Sequence, residues 1–302
     1  MNKLDERFFI NELSQKFKKF EPTPLWTSQE ATRLLFLDED VIPGSFYMSA
    51  SWFWPGDWPP QKPGTEPRIK AHKHDFDEVI AFIGSNPDDI NDLGGEVEFW
   101  VDGKKNIMDK SFLVFLPAGV PHCPLNILRA ERPIFHYNTG ITKTYFANEK
   151  DQAVTKKADL DTRHFVTELK SNIAQQSYSP TWTPQEATRL LFLDQEVIPG
   201  AFQSSCSWFW PGEWPQPKPE DTPRMKPHKH DFDEVLGFVG SNPDDIYDLG
   251  GDVELWVDGK KNVSDKSFMA FIPAGVEHCP LNILRAERPI FHFGACATKL
   301  YR

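Results

Sequence analysis

The chain consists of two similar halves, and this duplication constrains its fold more than any other feature. A shift of 156 positions (228 − 72) superposes His72 on His228, and the match continues along both halves without a gap. A repeat of this length indicates tandem domains and not a solenoid of short units. We therefore expect one domain at 1–147, a second at 160–302 and a polar linker at 148–159.

Short apolar or alternating runs, separated by Gly and Pro turn signals, predict that both halves are mostly β. Many short strands of this kind indicate a sandwich or barrel. Each half is also predicted to open with a short amphipathic helix, because Phe9, Leu13 and Phe17 recur at helical spacing. The helices are predicted at Glu6 to Phe17 and at Thr162 to Ile173. The predicted strands of the first half include Ala31 to Leu37, Glu78 to Ile83, Glu96 to Val101, Phe112 to Leu116 and Ile134 to Tyr137.

Composition and charge narrow the class of protein. Hydrophobic residues make up 39% of the chain, enough for a core in each half. The net charge of −11 argues against nucleic acid as a partner, since binding to a phosphate backbone needs clustered Lys and Arg. The charged segment Met1 to Phe20 does not resemble a secretory signal, and no apolar run is long enough for a membrane helix. We expect a cytoplasmic protein without a membrane partner.

Each half contains three histidines and one glutamate in the same order. Three imidazoles and one carboxylate form a donor set that suits a divalent transition metal. A lone His-x-His on a strand is more often structural, but here the full set occurs twice, which favours metal binding. The predicted ligands are His72, His74, Glu78 and His122 in the first half and His228, His230, Glu234 and His278 in the second.

Strand geometry suggests how these side chains share one ion. His72 and His74 leave the same face of a strand, but on a straight strand Glu78 would lie about 13 Å beyond His74. We therefore predict a hairpin at Asp75–Asp77 that folds Glu78 back opposite His74. A second hairpin, beginning at Pro117, is predicted to deliver the fourth ligand.

The four cysteines do not form a disulfide framework in a chain of this length. Cys123 and Cys279 each follow a predicted ligand directly, so on a regular strand they point to the opposite face. All four cysteines are expected to be small buried residues and not ligands.

The ligand spacing resembles the two signature motifs of the cupin superfamily. The first motif, HxHxxxE ending near a glycine, is matched from His72 to Gly84 and again from His228. The second, PxGxxHxxxN, is matched from Pro117 to Asn126 and again from Pro273. The resemblance covers both halves and implies a bicupin, with a double-stranded β-helix, or jelly-roll barrel, and one metal ion in each half. The segment between the motifs is longer than in minimal cupins, which leaves the substrate open.

The donor set leaves two positions on an octahedral ion and allows two kinds of chemistry. We place first a dioxygenase reaction on a small enolic, aromatic or carboxylate-bearing molecule. The alternative is redox-neutral isomerase, decarboxylase or lyase chemistry, with the ion as a Lewis acid. The remaining alternatives are a non-catalytic protein that binds a small molecule and, as the family resemblance implies, a structural role like that of seed-storage proteins. The ligands do not identify the metal, and Fe, Mn, Ni, Zn and Cu all stay open.

Aromatic and basic residues near the motifs are candidates for a substrate pocket. The tryptophans either line a cavity beside the metal or pack in the core or domain interface. The arginines favour an anionic substrate if they point inward, and the histidines outside the motifs suit the pocket and the core equally. These candidates are Trp52, Trp54, Arg68, His136, Trp208, Trp210, Arg224 and His292. The halves are expected to pack as an intramolecular pseudo-dimer, and a homo-oligomer is also open.

Overall fold

The computed structural model describes residues 4–14, 25–56, 58, 66–145, 148–149, 156–157, 163–170, 182–216 and 223–300. Within these ranges the chain forms strands and turns without a helix, so none of the residues described belongs to a helix that could cross a membrane. The strands of the first half are β1 (Phe9–Ile10), β2 (Ala31–Leu37), β3 (Tyr47–Phe53), β4 (His72–Lys73), β5 (Glu78–Gly84), β6 (Asp92–Val101), β7 (Lys104–Lys110), β8 (Phe112–Leu116), β9 (His122–Ala130), β10 (Ile134–Gly140), β11 (Asn148–Glu149) and β12 (Lys156–Lys157). Those of the second half are β13 (Phe165–Val166), β14 (Ala187–Leu193), β15 (Gln203–Phe209), β16 (Glu234–Gly240), β17 (Asp248–Val257), β18 (Lys260–Lys266), β19 (Phe268–Ile272), β20 (His278–Ala286) and β21 (Ile290–Cys296).

Two sheets form the barrel of each half. In the first half the inner sheet has the order β13-β8-β5-β10-β3-β2, and the outer sheet has the order β11-β4-β9-β6-β7-β12. In the second half the inner sheet is β1-β19-β16-β21-β15-β14 and the outer sheet is β18-β17-β20. An isolated bridge between His228 and His278 stands where β4 pairs with β9. The prediction that both halves are mostly β and form barrels is confirmed.

Alternation along β5 shows how each inner sheet serves two cores. Ile80 and Phe82 point into the first barrel, where they pack with residues such as Phe99. Val79 and Ala81 point to the other face and join a different core cluster. Both faces of this strand are therefore apolar, and Glu78 shares the barrel side with Ile80.

The second face of each inner sheet forms a core shared by the two halves. The rings of Phe135 and Phe291 lie 4.7 Å apart, and those of Tyr137 and Phe293 lie 4.9 Å apart. The Tyr137 hydroxyl also lies 3.1 Å from Oγ of Ser204. The two halves therefore pack face to face within one chain, as a pseudo-dimer.

The two predicted N-terminal helices are wrong. The described parts of these segments, 4–14 and 163–170, contain a turn followed by β1 or β13, and the rest of each prediction lies outside the described residues. An isolated helix of about a dozen residues is only marginally stable in water. A short strand at an open sheet edge instead satisfies backbone groups that would otherwise be exposed.

Each of these short strands pairs with the barrel of the opposite half. In β1, Phe9 pairs with Ala270 of β19. In β13, Phe165 pairs with Val114 of β8. The halves therefore exchange edge strands.

The predicted linker at 148–159 is described only at β11 and β12, which pair with β4 and β7.

Candidate metal centres

In the first half, the four predicted ligands converge inside the barrel. His72 lies in β4, His74 just after it, Glu78 at the start of β5 and His122 at the start of β9. All four side chains are buried, and the most exposed residue, His72, is only 8% accessible. Because β4 and β9 belong to the outer sheet and β5 to the inner sheet, the ligands meet across the interior.

The donor atoms lie close enough to share one ion. Glu78 Oε2 is 3.4 Å from Nε2 of His74 and 3.4 Å from Nε2 of His122. The ligand atoms of these three residues all lie within 4.8 Å of one another. The ring of His72 lies 4.4 Å from that of His122 and 5.0 Å from that of His74. The structure thus brings all four side chains together.

Hydrogen bonds fix which nitrogen of two imidazoles faces the centre. Nδ1 of His72 donates to the Lys70 carbonyl oxygen at 2.8 Å, and Nδ1 of His122 donates to the Val120 carbonyl oxygen at 3.1 Å. An imidazole that donates through Nδ1 presents a lone pair at Nε2. Both rings are therefore held in the tautomer that binds a cation.

Buried acceptor atoms at this point lack partners within the described part of the chain. Glu78 Oε2 and His122 Nε2 are buried without a hydrogen bond, and so is Glu234 Oε2 in the second half. A buried acceptor without a donor is costly. A cation between such acceptors satisfies them at once. The residues present therefore fit a divalent transition metal.

The protonation states also suit a metal, which binds neutral imidazoles and ionised carboxylates. Burial and the neighbouring His122 lower the pKa of His72 to about 4. On Glu78, burial raises the pKa, whereas protonated forms of the facing His122 and His74 lower it, with a net lowering. At neutral pH the centre thus holds a neutral His72, the form that binds a metal.

The predicted hairpins are wrong, although the ligands still meet. β4 pairs with β9 and β11, whereas β5 pairs with β8 and β10. The turn at 75–77 therefore carries the chain from one sheet to the other, and the turn at 117–119 does the same between β8 and β9. Local spacing shows that the chain must turn, but not that the turn connects two different sheets.

Backbone and side-chain hydrogen bonds hold the two turns together. Asp77 Oδ1 accepts from the Ala118 amide at 2.9 Å, and the Gly119 amide donates to the His74 carbonyl oxygen at 2.7 Å. Gly119 has a φ of 82°, a conformation that glycine adopts without strain. The same bonds recur in the second half.

Cys123 lies beside the centre, contrary to the prediction from strand alternation. Its φ of 71° is in the left-handed region, so its side chain does not follow the alternation of β9. Its Sγ lies within 4.8 Å of the donor atoms of His72 and His122, and Cys279 repeats the arrangement. Burial raises the pKa of Cys279 to about 12, which keeps that thiol protonated at neutral pH.

The second half repeats the cluster with two more accessible ligands. His278 Nε2 lies 3.4 Å from Glu234 Oε2, and the ring of His228 lies 4.3 Å from that of His278. The ligand atoms of His230, Glu234 and His278 lie within 4.8 Å of one another. His228 and His230 are half-buried, whereas their counterparts in the first half are buried. Burial raises the pKa of Glu234 to about 7.

Two polar side chains that sequence reasoning missed touch the first centre. Asn138 Nδ2 donates to Glu78 Oε1 at 3.2 Å, and the Tyr145 hydroxyl lies 3.2 Å from Nε2 of His74. Neither residue belongs to a ligand motif. The available signal was the comparison of the halves, because Asn138 becomes Gly294.

The second centre has a thiol near the equivalent carboxylate oxygen. Cys296 Sγ donates to Glu234 Oε1 at 3.5 Å, and Cys296 stands where the first half has Gly140. Tyr301, the counterpart of Tyr145, lies outside the described residues. Since neighbours of a ligand tune its metal, the two centres are expected to differ in affinity.

The four candidate tryptophans lie between the halves and not beside the metal ligands. Trp52 and Trp208 belong to the shared core, and Trp54 and Trp210 pack against it. Glu78 lies on the opposite, barrel side of the inner sheet. Of the two alternatives for these tryptophans, the structure places them at the interface.

The two candidate arginines form ion pairs on the protein surface. Arg68 Nη2 lies 2.7 Å from Glu30 Oε1, and Arg224 Nη2 lies 2.8 Å from Glu186 Oε1. Both arginine side chains are about a third or more exposed. These arginines are therefore solvated surface residues and not residues that point inward.

The histidines outside the motifs pack in the barrel cores. His136 Nδ1 donates to the Ala81 carbonyl oxygen at 2.8 Å, and its ring lies 4.5 Å from that of Phe82. His292 Nδ1 donates in the same way to Gly237 at 2.9 Å. Burial lowers the pKa of both histidines to about 4. They have the surroundings of core histidines.

No family model matches the chain, and no curated protein matches it. Solved structures do match. A mutant of the oxalate decarboxylase OxdC of Bacillus subtilis superposes with a TM-score of 0.53 at 10% identity, over 92% of this chain and 77% of its own. The oxalate decarboxylase of Lactobacillus farciminis, in a formate complex, superposes with a TM-score of 0.50 at 12% identity, over 91% of this chain and 86% of its own.

Identity this low establishes the fold and nothing more specific. Oxalate decarboxylases are bicupins, and the superposition extends over both halves of this chain. The His and Glu clusters able to hold a metal recur once per barrel. The chain therefore has the bicupin fold.

Proposed function

We propose that the chain is a metal-dependent enzyme that performs redox-neutral chemistry, decarboxylation or C–C cleavage, on a small carboxylate-bearing substrate. The observation that carries this proposal is the convergence of His74, Glu78 and His122, whose ligand atoms lie within 4.8 Å of one another. The second half repeats the convergence, which is hard to explain by packing alone. We assign one divalent ion to each half.

In the first half the ion is held by His72, His74, Glu78 and His122. When bound, it supplies a Lewis acid that polarises a substrate oxygen and stabilises negative charge. The surrounding barrel wall is apolar, with neighbours such as Phe99 on its interior side. Such a wall excludes water and strengthens the electrostatic interactions of a bound substrate.

Phenolic groups beside the first centre support an anionic substrate. Burial raises the pKa of Tyr47 to about 12, and the positive charge of Arg33 opposes that rise. The pKa of Tyr145 is also raised, chiefly by burial, with Arg33 again acting against the rise. Tyr145 therefore keeps its proton at Oη as a hydrogen-bond donor, which the carboxylate of a substrate can accept.

The comparisons favour the redox-neutral alternative over the dioxygenase placed first from the sequence. The donor set by itself suits both reactions. Oxalate decarboxylases are among the solved structures that superpose on both halves, and this supports decarboxylation. We accordingly place the dioxygenase second.

Turnover assays test the proposal. The protein is loaded with Mn, Fe or Zn and given a panel of small carboxylates that includes oxalate and 2-oxo acids, while product formation and dioxygen uptake are recorded together. We expect product with carbon dioxide release or C–C cleavage and no matching dioxygen uptake. Uptake of one dioxygen per product would establish the oxidative reaction instead.

Variants connect the activity to the centres. His74→Ala and His230→Ala each remove one ligand, and the exposed acids next to them, in Asp75→Asn and Asp231→Asn, serve as matched controls. We expect the double histidine variant to lose activity and the double asparagine variant to keep it. Equal activity in both would separate the reaction from these clusters.

A further inference from the structure

A second candidate site lies between the halves, apart from the metal centres. We propose that a cavity on the pseudo-twofold axis binds an aromatic carboxylate, a flat ring system that carries one negative charge. The inference rests on the cavity alone and does not depend on the reaction proposed above.

The cavity is built from the same positions of both halves. Its volume is about 410 Å³, which is within the usual range for small-molecule sites. Every lining residue of the first half has its counterpart, 156 positions later, in the lining as well. The cavity therefore lies on the axis that relates the halves. The predicted metal ligands do not line it.

Two pairs of tryptophan rings form the aromatic walls. Trp52 and Trp54 are stacked, with centroids 6.0 Å apart and planes inclined by 19°. Trp208 and Trp210 repeat this stack at 5.9 Å and 18°. Parallel ring faces of this kind favour stacking with a flat aromatic ligand.

The walls are held in place before any ligand arrives. Trp54 Nε1 donates to Thr32 Oγ1 at 3.0 Å, and Trp210 Nε1 donates to Thr188 Oγ1 at 2.9 Å. Trp52 packs edge-on against Phe135, with ring centroids 5.1 Å apart. A pre-formed pocket lowers the entropy that a ligand loses on binding.

The uncharged polar groups of the lining already have partners. Ser85 Oγ donates to the Pro133 carbonyl oxygen at 2.7 Å, and Asn86 Nδ2 donates to Asp92 Oδ2 at 3.2 Å. The same bonds recur at Ser241 in the second half and at its neighbour. The interior therefore suits an apolar ring better than a sugar or a peptide.

Among the described residues that line the cavity, arginine is the only charged type. Arg132 and Arg288 line the cavity, whereas their ion-pair partners, Asp92 and Asp248, do not. A guanidinium group has five donors, so an ion pair leaves donors for a second carboxylate. The arginine side chains are 36% and 38% exposed and so remain within reach of a ligand. This charge distribution favours an anionic group on the aromatic ligand.

Calorimetry and quenching of tryptophan fluorescence test the inference, with 2-naphthoate as the probe and neutral 2-naphthol as its counterpart. We expect saturable binding of 2-naphthoate and affinity for 2-naphthol that is lower by about fivefold or more. The double variant Trp54→Ala/Trp210→Ala should weaken 2-naphthoate binding by roughly tenfold, whereas Trp54→Phe/Trp210→Phe should keep most of the affinity.

Three controls make the outcomes separable. Trp100→Ala removes a tryptophan outside the cavity and should leave affinity unchanged, and thermal unfolding verifies that every variant folds. The double variant His74→Ala/His230→Ala should also bind 2-naphthoate normally. Loss of binding in this variant would show that the probe binds at the metal centres instead. Absence of saturable binding, or equal binding by the alanine variant, would overturn the site. Equal affinity for 2-naphthol would overturn the choice of a carboxylate.

Discussion

Phe9 pairs with Ala270, so the start of the first half completes the inner sheet of the second barrel. Phe165 makes the reciprocal pairing with Val114. Each barrel thus depends on a segment from the other half for its edge strand. The exchange couples the folding of two units that the sequence suggests are separate domains.

The exchanged strand predicts a stability effect for Phe9→Ala. Phe9 is 4% exposed and its ring lies 5.8 Å from that of Phe268. Truncation of a buried phenylalanine removes apolar contacts and leaves a cavity, so we expect a loss of about 3 kcal/mol in the free energy of unfolding. Urea denaturation measures it, with the exposed Leu25→Ala as a control that should change by under about 0.5 kcal/mol. Equal effects of the two variants would contradict the exchange.

Tyr145→Phe is predicted to tighten metal binding at the first centre. The hydroxyl lies 3.2 Å from His74 Nε2, the nitrogen that a metal needs. Loss of one neutral hydrogen bond is worth about 1 kcal/mol, which corresponds to roughly fivefold in affinity. Chelator competition in a His230→Ala background isolates this centre, and Tyr247→Phe is the control. Unchanged or weaker affinity would show that the hydroxyl does not compete with the metal.

Asn138→Ala is predicted to weaken the first centre selectively. In the unmodified protein, Asn138 Nδ2 donates to Glu78 Oε1 at 3.2 Å and orients the carboxylate. Removal of a group that orients a ligand costs about tenfold or more in metal affinity. The second centre has Gly294 at this position and should bind as before. Chelator competition measures the metal affinity of each centre separately, and the exposed Asn91→Ala serves as control. Equal weakening of both centres would show that Asn138 has a merely structural role.

The buried histidines predict a loss of stability in acid. Burial lowers the pKa of His292 to about 4, whereas an unfolded histidine titrates near about 6.5. Below that value the unfolded chain binds a proton that the folded chain does not, so this contribution to stability is lost as the pH falls from about 6.5 to about 4. His292 accounts for about 3 kcal/mol of that loss.

Urea unfolding across this pH range tests whether the free energy of unfolding falls as the pH falls. His292→Gln removes the titration, so its stability should depend less steeply on pH than that of the unmodified protein, whatever its absolute value. Parallel curves for the two proteins would show that His292 is not the source of the slope.

The sequence predicted several strands and the convergence of the His and Glu side chains well because both depend on local spacing. β2 and β8 have the predicted bounds, and the duplicated His and Glu residues reach one point in each barrel. The spacing of the motifs indicates which side chains must meet, because only a few backbone conformations bring both clusters together at once.

The remaining predictions depended on tertiary structure that spacing does not encode. The helical spacing of Phe9 and Leu13 carried no information about the open edge of a barrel elsewhere in the chain. Trp52 and Trp54 point the same way, but parity does not say which face of the inner sheet turns toward the other half. Cys123 escaped the alternation rule because its φ of 71° rotates its side chain.

Metal content tests the central claim most directly. The protein, the variants His74→Ala and His230→Ala and their double variant are loaded with Zn, freed of excess metal and analysed for metal per chain. We predict one ion for each half in the unmodified protein, loss of one ion in each single variant and loss of both in the double variant. Unchanged metal content in the double variant would contradict the assignment of these clusters as metal centres.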